Sequence, residues 1–375
     1  MRFIPISEPV IGEEELLNAT DCIKSTWISS LGKYITEFEN NFSSYCQVKY
    51  GVCVANGTLA LQLALKSLNI GNGDEVIIPN LTFVATANAV TYLGSKPVPV
   101  DCEAETWNID PFKIEKAVTD KTKAIIPVHL YGHPCDMDPI MKIAGKYNLK
   151  IIEDAAEAHG SEYKGRKVGS IGHIGCFSFY GNKTITTGEG GMCITNDKTL
   201  SDKMRFLKDH GMSKKKRYWH QEIGYNFRMT NIQASIGCAQ LKKIDKFIEI
   251  KRKNAFLYNS ILKDCDKIIL PPEKEWSKNT YWLYSILLKD NNIDYLITKL
   301  REKNIDSRRF FYPINVLPPY KQKGDFKVSN KLSKMGISLP SSVNLTEEEI
   351  KYICQTLLEI MSGLNGNCSS ATRRF

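Results

Sequence analysis

One lysine, Lys183, lies between an apolar segment and a glycine-rich turn. The segment Cys176–Tyr180 (CFSFY) predicts a β-strand, and the turn Gly188–Gly191 (GEGG) allows backbone to pack closely beside it. A lysine at the edge of a sheet loses much of its solvation, which lowers its pKa and makes its amine a nucleophile. Although most lysines are surface residues, this position makes Lys183 the leading candidate for a catalytic amine.

Two carboxylates follow the apolar segment Lys150–Glu153, which predicts a strand. Asp154 leaves the carboxyl end of that strand, where α/β sheets bind their ligands, and an aspartate there can keep a nearby ring nitrogen protonated. The alternative is that Asp154 caps the following turn. Glu157 is three residues further on, so on a helical turn it lies near Asp154 and could share a proton with a phenolate oxygen of a ligand. The alternative for Glu157 is a solvated glutamate.

The segment Asn56-Gly57-Thr58 precedes an apolar helix, and the free amide groups at a helix N-terminus bind phosphate. Ser178 could add a hydroxyl, and Phe83, which follows a strand, could stack on a ring. The alternatives are an ordinary helix cap and a phenylalanine of the core. A nucleophilic lysine, an acid for a ring nitrogen and a phosphate site in one chain predict pyridoxal phosphate (PLP) as the cofactor.

A polar segment, Gly224–Asn231 (GYNFRMTN), precedes the next predicted helix. Its Asn226 and Arg228 could reach a phosphate, and the alternative is a loop that caps the helix. Asn226 is therefore a further candidate for binding the cofactor.

The composition is typical of a soluble globular protein, with 42% hydrophobic and 24% charged residues and a net charge of +9. The basic run Lys214–Arg217 is more typical of a solvated surface than of a nucleic-acid site, so we expect no nucleic-acid partner.

The sequence has no GxGxxG motif after the first predicted strand and no Walker lysine, which are the marks of nucleotide-binding folds. It also has no HExxH motif, and we expect no metal. The 11 cysteines form no CxxC pair, and the N-terminus has no secretory signal. We therefore expect a cytoplasmic protein with no membrane association, whose cysteines are reduced and mostly buried.

Short apolar strands alternate with helices between residues 50 and 195, which predicts a largely parallel sheet covered on both faces. The predicted strands are Tyr50–Ala55, Glu75–Ile78, Pro97–Val100, Ala124–His129, Lys150–Glu153, Cys176–Tyr180 and Met192–Thr195. The predicted helices are Gly12–Ser25, Gly32–Tyr45, Leu59–Leu68, Ala85–Leu93, Pro111–Val118 and Pro139–Tyr147.

From Asn231 onwards the regular alternation of short strands and helices ends. One long helix, Asn231–Leu262, is predicted to lead into a smaller α+β domain. We place a large PLP-binding domain at residues 1–243, a small domain at 244–362 and a flexible polar tail at 363–375. The elements predicted for the small domain are the strands Tyr281–Leu288 and Ser307–Tyr312 and the helices Asp294–Lys303 and Glu347–Met361.

Taken together, these segments resemble the sugar aminotransferases of the DegT/DnrJ family, a branch of the aspartate-aminotransferase-like PLP enzymes of fold type I. The resemblance extends over nearly the whole chain, roughly Ile4 to Ile360. It implies an α/β fold with a mostly parallel central sheet and a smaller C-terminal α+β domain. The segments that carry it are Ser25–Ser30 (STWISS), Asn56–Thr58 (NGT), Tyr131–Asp136 (YGHPCD), Glu153–Ala158 (EDAAEA), Gly181–Gly191 (GNKTITTGEGG) and Gly224–Asn231 (GYNFRMTN).

The resemblance implies roles for the candidate residues. Lys183 forms the Schiff base with PLP, and Asp154 pairs with the pyridine nitrogen. Glu157 is the third candidate catalytic residue because of its position near Asp154. The resemblance also implies a homodimer with shared active sites, in which Asn226 comes from the partner subunit. The residues implied to bind the cofactor are Gly57, Thr58, Phe83, Asp154, Ser178, Lys183 and Asn226.

Within the family, three segments are most similar to enzymes that aminate GDP-4-keto-6-deoxymannose at C4 with glutamate as donor: Arg217–His220, Phe310–Pro313 and Gly336–Pro340. Two positions depart from the pattern. Arg309 stands where a proline is expected, and His159 stands where another residue is expected, so both are expected to touch the sugar or its nucleotide. The candidate substrate-binding residues are Trp27, Arg217, His220, Arg309 and Tyr312.

Two alternatives stay open. The same reaction on a UDP- or dTDP-linked 4-keto-6-deoxyglucose would give a viosamine-type sugar, since no residue in the sequence identifies the base. A protein of another class, a PLP-binding regulator without activity, would retain the cofactor site. A related sub-branch performs dehydration and has histidine at the lysine position, and Lys183 argues against it.

Overall fold

The computed structural model describes residues 2–289 and 292–364, so the predicted tail lies outside the described residues from position 365 onwards. The helices, numbered along the chain, are α1 Glu13–Lys24, α2 Lys33–Tyr45, α3 Gly57–Ser67, α4 Ala85–Thr91, α5 Pro111–Ala117, α6 Met137–Tyr147, α7 Lys198–Leu207, α8 Asn231–Leu241, α9 Ile244–Leu262, α10 Ile293–Glu302, α11 Lys327–Met335 and α12 Glu347–Leu364. The strands are β1 Tyr50–Val54, β2 Glu75–Pro79, β3 Lys96–Val100, β4 Thr122–Ile125, β5 Lys150–Asp154, β6 Glu162–Tyr163, β7 Arg166–Lys167, β8 Ile174–Ser178, β9 Gly191–Thr195, β10 Ile268–Ile269, β11 Ser277–Lys278, β12 Tyr284–Leu288, β13 Arg308–Arg309 and β14 Gly336–Leu339.

Seven of the described strands form one large sheet in the order β1-β9-β8-β5-β4-β2-β3. Strand β9 runs antiparallel to β1 and β8, and the other neighbouring pairs are parallel. The strands β2, β5 and β8 are almost fully buried, as expected for a sheet that is covered by helices on both faces. This arrangement confirms the predicted α/β fold with a mostly parallel central sheet.

A second sheet, antiparallel and formed by the described strands β10-β12-β14-β13, lies in the C-terminal part of the chain. Helices α9, α10 and α12 contribute to its core, where the rings of Tyr258 and Tyr284 stack with their centroids 4.4 Å apart. Ile4 from the N-terminus is buried in the same core. We retain residues 1–243 and 244–362 as the proposed large and small domains.

The helix predicted over Asn231–Leu262 is in fact two helices, α8 and α9, separated at Lys242 and Lys243. The buried carboxylate of Glu15 on α1 accepts hydrogen bonds from Gln240 Nε2 at 2.7 Å and Lys243 Nζ at 2.6 Å. These contacts fix both sides of the break. Because the apolar stripe continues across the break, helical periodicity cannot reveal it.

Three predicted strands are clearly shorter than expected, and one of them, predicted over Tyr281–Leu288, begins only at Tyr284. The strand predicted over Ala124–His129 ends at Ile125, and the strand predicted over Ser307–Tyr312 pairs only at Arg308–Arg309. Single backbone contacts continue beyond both of these ends: Val128 forms a bridge with Asp154 of β5, and the Phe310 N–H donates to the Gly336 carbonyl of β14 at 3.1 Å. The elements α7, α11, β6, β7, β10, β11 and β14 have no counterpart in the sequence prediction.

Ten cysteines lie in the described residues, and all ten are buried, which agrees with the prediction. Within the same residues, no helix is both long enough and apolar enough to cross a bilayer.

Candidate active site

A cavity of about 410 Å³ lies at the carboxyl ends of the parallel strands. Asp154 ends β5, Ser178 ends β8 and Phe83 follows β2, and all three line it together with the N-terminus of α3. Trp282 and Arg308, from the C-terminal part of the chain, close the other side. The cavity therefore lies where open α/β sheets bind their ligands.

Lys183 lies in the turn that follows β8 and lines this cavity. Its backbone N–H donates to the Tyr180 carbonyl at 2.9 Å, and its Nζ lies 3.6 Å from the centroid of the Trp282 ring. Burial lowers the pKa of the Lys183 amine, and the nearby carboxylates of Glu157 and Asp154 oppose that shift. The structure thus gives Lys183 the desolvated amine that the sequence predicts.

The carboxylate of Asp154 is buried and held by two hydrogen bonds. Thr86 Oγ1 donates to Oδ2 at 2.9 Å, and the Ala156 N–H donates to Oδ1 at 3.2 Å. Burial raises the pKa of Asp154, whereas the Thr86 hydrogen bond lowers it. The bond from Ala156 shows that Asp154 also caps its turn, so both functions considered for it are compatible.

Glu157 is only 4% exposed, so it is not a solvated glutamate. Its Oε2 accepts the backbone N–H of Tyr131 at 2.8 Å. Tyr131 has a φ of 52°, an unusual left-handed conformation, and this hydrogen bond helps to hold it. Burial raises the pKa of Glu157 to about 7, against the opposing effect of Lys183. Glu157 is therefore able to gain or lose a proton near neutral pH.

The first turn of α3 forms an anion site at the cavity. Asn56 Oδ1 accepts the Leu59 N–H at 3.0 Å, which leaves the amide groups of Gly57 and Thr58 available to a ligand. Gly57 packs so closely on β8 that an added Cβ would lie 2.8 Å from the Cβ of Ser178. The close approach brings the Ser178 hydroxyl beside the helix N-terminus, as predicted.

These groups fit PLP. An amine, a buried carboxylate and a helix N-terminus in one cavity match the aldehyde, the ring nitrogen and the phosphate of the cofactor. Next to Lys183, the cavity-lining Asn182 has a buried Oδ1 without a hydrogen-bond partner among the described residues. This oxygen is therefore available to a ligand in the cavity.

Aromatic side chains form one wall of the cavity. Phe83 is 53% exposed and lies 5.6 Å from Phe311, measured between ring centroids.

Two predicted substrate residues, Arg309 and Tyr312, do not line the cavity. They line a neighbouring hollow, where the Arg309 guanidinium lies 4.3 Å from the centroid of the Tyr312 ring.

Four of the predicted residues do not line the cavity of this chain. Trp27 is exposed and lines a separate hollow near Asn231. Asn226 is exposed, with its Oδ1 accepting a hydrogen bond from Arg228 at 3.0 Å. Arg217 and His220 are also exposed. Their contacts with cofactor or substrate stay predictions.

His159 does not line the cavity. It is fully buried, and its ring lies 5.4 Å from that of Phe177 and 5.5 Å from that of Phe179. Burial lowers the pKa of His159 to about 3, so the ring is neutral at physiological pH. The expectation that His159 touches the sugar is therefore not met, because its ring is enclosed by the core of the protein.

Sequence reasoning missed three residues of the site. Trp282, Arg308 and Phe311 all line the cavity from the C-terminal part of the chain. They lie about a hundred positions or more from Lys183, and no local pattern relates residues at such separation. Thr86 was also missed, although a hydroxyl one turn after Thr82 at the start of a helix is a weak signal.

Within the described residues, no group of three or more His, Cys, Asp or Glu side chains is arranged to hold a metal ion.

Residues 9–358 match the model of the DegT/DnrJ/EryC1/StrS aminotransferase family. The chain is 46% identical over 364 residues to a GDP-perosamine synthase of Escherichia coli O157:H7, a match that covers 96% of this chain and 100% of that protein. It is 42% identical over 360 residues to a GDP-perosamine synthase of Vibrio cholerae, covering 94% of this chain and 98% of that protein.

Two solved aminotransferase structures have the same fold. The PLP form of the putative sugar aminotransferase Spr1654 from Streptococcus pneumoniae matches with a TM-score of 0.91 and 30% identity, covering 96% of this chain and 99% of that chain. An aminotransferase from Psychrobacter cryohalolentis matches with a TM-score of 0.89 and 34% identity, with the same coverage.

Proposed function

The chain belongs to the DegT/DnrJ/EryC1/StrS aminotransferase family, and on this premise we propose that it transfers the amino group of L-glutamate to C4 of GDP-4-keto-6-deoxy-D-mannose, giving GDP-perosamine. It is a PLP-dependent aminotransferase. Support for the sugar comes from the relatives named GDP-perosamine synthase. The observation that carries the proposal is the Lys183 amine beside Glu157 and Asp154 in one cavity.

When bound, PLP supplies an electron sink that stabilises negative charge on the carbon next to the transferred nitrogen. The Lys183 amine, whose pKa is lowered by burial, takes the proton from Cα of glutamate and later delivers a proton to C4 of the sugar. Because Lys183 extends from one wall of the cavity, it delivers this proton to one face of the sugar. The position of Lys183 therefore fixes the configuration at C4.

The two carboxylates control protons in the same cavity. Asp154, held in place by Thr86, would keep the ring nitrogen of the cofactor protonated. Glu157, with a pKa of about 7, would share a proton with the ring oxygen of the cofactor. Each carboxylate thus acts through a different atom of the cofactor.

The remaining walls would hold the cofactor in place. Gly57, Thr58 and Ser178 would bind its phosphate at the N-terminus of α3, and Phe83 would cover its ring. The binding groups come from backbone and from short side chains on rigid elements, which favours a fixed orientation of the cofactor.

We propose that the active enzyme is a homodimer with shared sites, in which Asn226 of a second subunit binds the cofactor. Asn226 is exposed and distant from the cavity of its own subunit. The side chains of Leu16, Leu17 and Ile23 on α1 are each more than half exposed, and such apolar surface favours burial by a second copy. We also propose that the enzyme acts in the cytoplasm, where glutamate and sugar nucleotides are supplied.

The visible absorption of the purified, PLP-loaded protein tests the proposed reaction. Glutamate is expected to remove this absorption, and GDP-4-keto-6-deoxymannose is expected to restore it. UDP- and dTDP-4-keto-6-deoxyglucose serve as competing substrates, and restoration by one of them alone would replace the proposed sugar. No change with glutamate would favour a regulator without activity.

A further inference from the structure

A second hollow, of about 440 Å³, adjoins the cavity that contains Lys183. The two share four lining residues, so these side chains form the boundary between them: Thr82, Phe83, Arg308 and Phe311. The second hollow is lined by consecutive residues from Ser307 to Tyr312 and by Ile297 of α10. It is thus a continuation of the active site on the side away from the Lys183 turn.

Arg308 lies at the junction of the two spaces. Its backbone is fixed by pairing with Ser338 in the small antiparallel sheet. Among the described residues its guanidinium has no carboxylate or hydrogen-bond partner, whereas the neighbouring Arg309 lies 3.4 Å from Asp294 Oδ1. A lining arginine without an acidic partner is available to an anionic ligand.

Two further polar atoms of this hollow are buried without a partner in the described part of the chain: Ser307 Oγ and Arg309 Nε. Ser307 is only 6% exposed. Folding removes water from such atoms at a cost, and a ligand that bonds them offsets this cost. Beside them, Tyr312 presents an exposed ring that can stack on a planar base.

We propose that the second hollow binds the nucleoside diphosphate part of the substrate, with Arg308 on the diphosphate. This inference rests on the proposed function, which requires the sugar C4 to reach Lys183. The diphosphate is attached at C1, on the opposite side of the sugar ring from C4, so it lies away from Lys183. The adjoining hollow is the space that the nucleoside enters.

Arg308 could in principle serve the other anion of the reaction, the carboxylate of glutamate. Both ligands offer paired oxygen atoms to a guanidinium. The volume favours the nucleotide, because the first cavity must already hold the cofactor and the sugar, and the second has space for a base beside Tyr312. The experiment separates the two ligands.

The test compares Arg308→Gln with Arg301→Gln, a matched control because Arg301 is exposed on α10 and lines neither space. Binding of GDP to the PLP-loaded protein is measured by calorimetry, and the glutamate half-reaction is followed by absorption. Arg308→Gln is expected to weaken GDP binding by about tenfold or more, since hydrogen bonds to charged groups are strong. The glutamate half-reaction should change far less, and Arg301→Gln should bind GDP like the wild type.

Several outcomes would overturn this assignment. These are GDP binding unchanged in Arg308→Gln, no nucleotide binding by the wild type, or a loss confined to the glutamate half-reaction. If Arg308→Gln does not fold, Ser307→Ala and Arg308→Lys give the same comparison, and both should weaken GDP binding. Failure of the proposed function is distinguishable, because the wild type would then show no absorption change with glutamate while still binding GDP.

Discussion

The amine of Lys183 lies 3.6 Å from the centroid of the Trp282 ring, which belongs to the other part of the chain. The Trp282 indole N–H donates to the Asn182 carbonyl at 2.8 Å, so it also fixes the residue before the lysine. Lys251 Nζ in turn donates to the carbonyls of Trp282 at 3.1 Å and Ser341 at 2.5 Å. The position of the amine therefore depends on packing between the two parts of the chain.

Replacing Trp282 should slow the proton transfers of Lys183. Trp282→Ala removes both the ring beside the amine and the hydrogen bond that holds Asn182, and a loss of positioning equivalent to about 1–2 kcal/mol is expected to slow the glutamate half-reaction by about tenfold. Trp282→Phe keeps the ring face and should retain more of the rate. Stopped-flow absorption measures both variants, and equal rates in Trp282→Ala and the wild type would show that the contact has no role.

Lys251 should make stability depend on pH. Burial lowers its pKa to about 7 in the folded protein, below the value of about 10.4 for an unfolded chain, so unfolding takes up a proton between these two values. The free energy of unfolding of the wild type, relative to Lys251→Met, is therefore expected to rise from about pH 7 to about pH 10. The gain is at most about 1.4 kcal/mol per pH unit.

Urea unfolding of both proteins at several pH values measures this difference. Lys246→Met is the control, since Lys246 is exposed on the same helix. A difference between wild type and Lys251→Met that stays constant with pH would contradict the lowered pKa.

Glu157 should govern the pH dependence of the bound cofactor. Because burial raises its pKa to about 7, its carboxyl group loses a proton near neutral pH, and the visible absorption of PLP beside it should change with the same midpoint. Glu157→Gln is expected to lose this transition, and the exposed Glu115→Gln should keep it. Persistence of the transition in Glu157→Gln would assign it to another group.

Gly57 should be required for the phosphate site. A methyl group at this position would lie 2.8 Å from the Cβ of Ser178, and overpacking of this kind costs about 1–3 kcal/mol. Gly57→Ala is therefore expected to weaken PLP binding by about tenfold to a hundredfold in equilibrium dialysis. The control is Gly145→Ala in α6, where the added methyl group meets open space. Equal PLP affinity in Gly57→Ala and this control would remove Gly57 from the phosphate site.

Local sequence patterns predicted much of the site. Lys183, Asp154 and the Gly57 turn each follow a strand or precede a helix, so their positions at one edge of a parallel sheet follow from short segments. The large sheet was predicted for the same reason. Its alternation of short buried strands and helices is a local feature.

Contacts between distant segments could not be predicted in this way. Trp282 and Arg308 reach the cavity only through packing of the small antiparallel sheet, and that sheet includes strands as short as the pair Arg308–Arg309. The break between α8 and α9 depends on the Glu15 carboxylate more than two hundred residues away. A single sequence carries no periodic signal for either contact.

Lys183→Ala provides the most direct test of the central claim that this amine moves the protons of the reaction. The variant is expected to bind PLP still but to lose the absorption change with glutamate, whereas the exposed Lys164→Ala should behave like the wild type. Loss of one acid–base group typically slows a reaction by about a hundredfold or more. A Lys183→Ala protein that keeps more than about a hundredth of the wild-type rate would contradict the account.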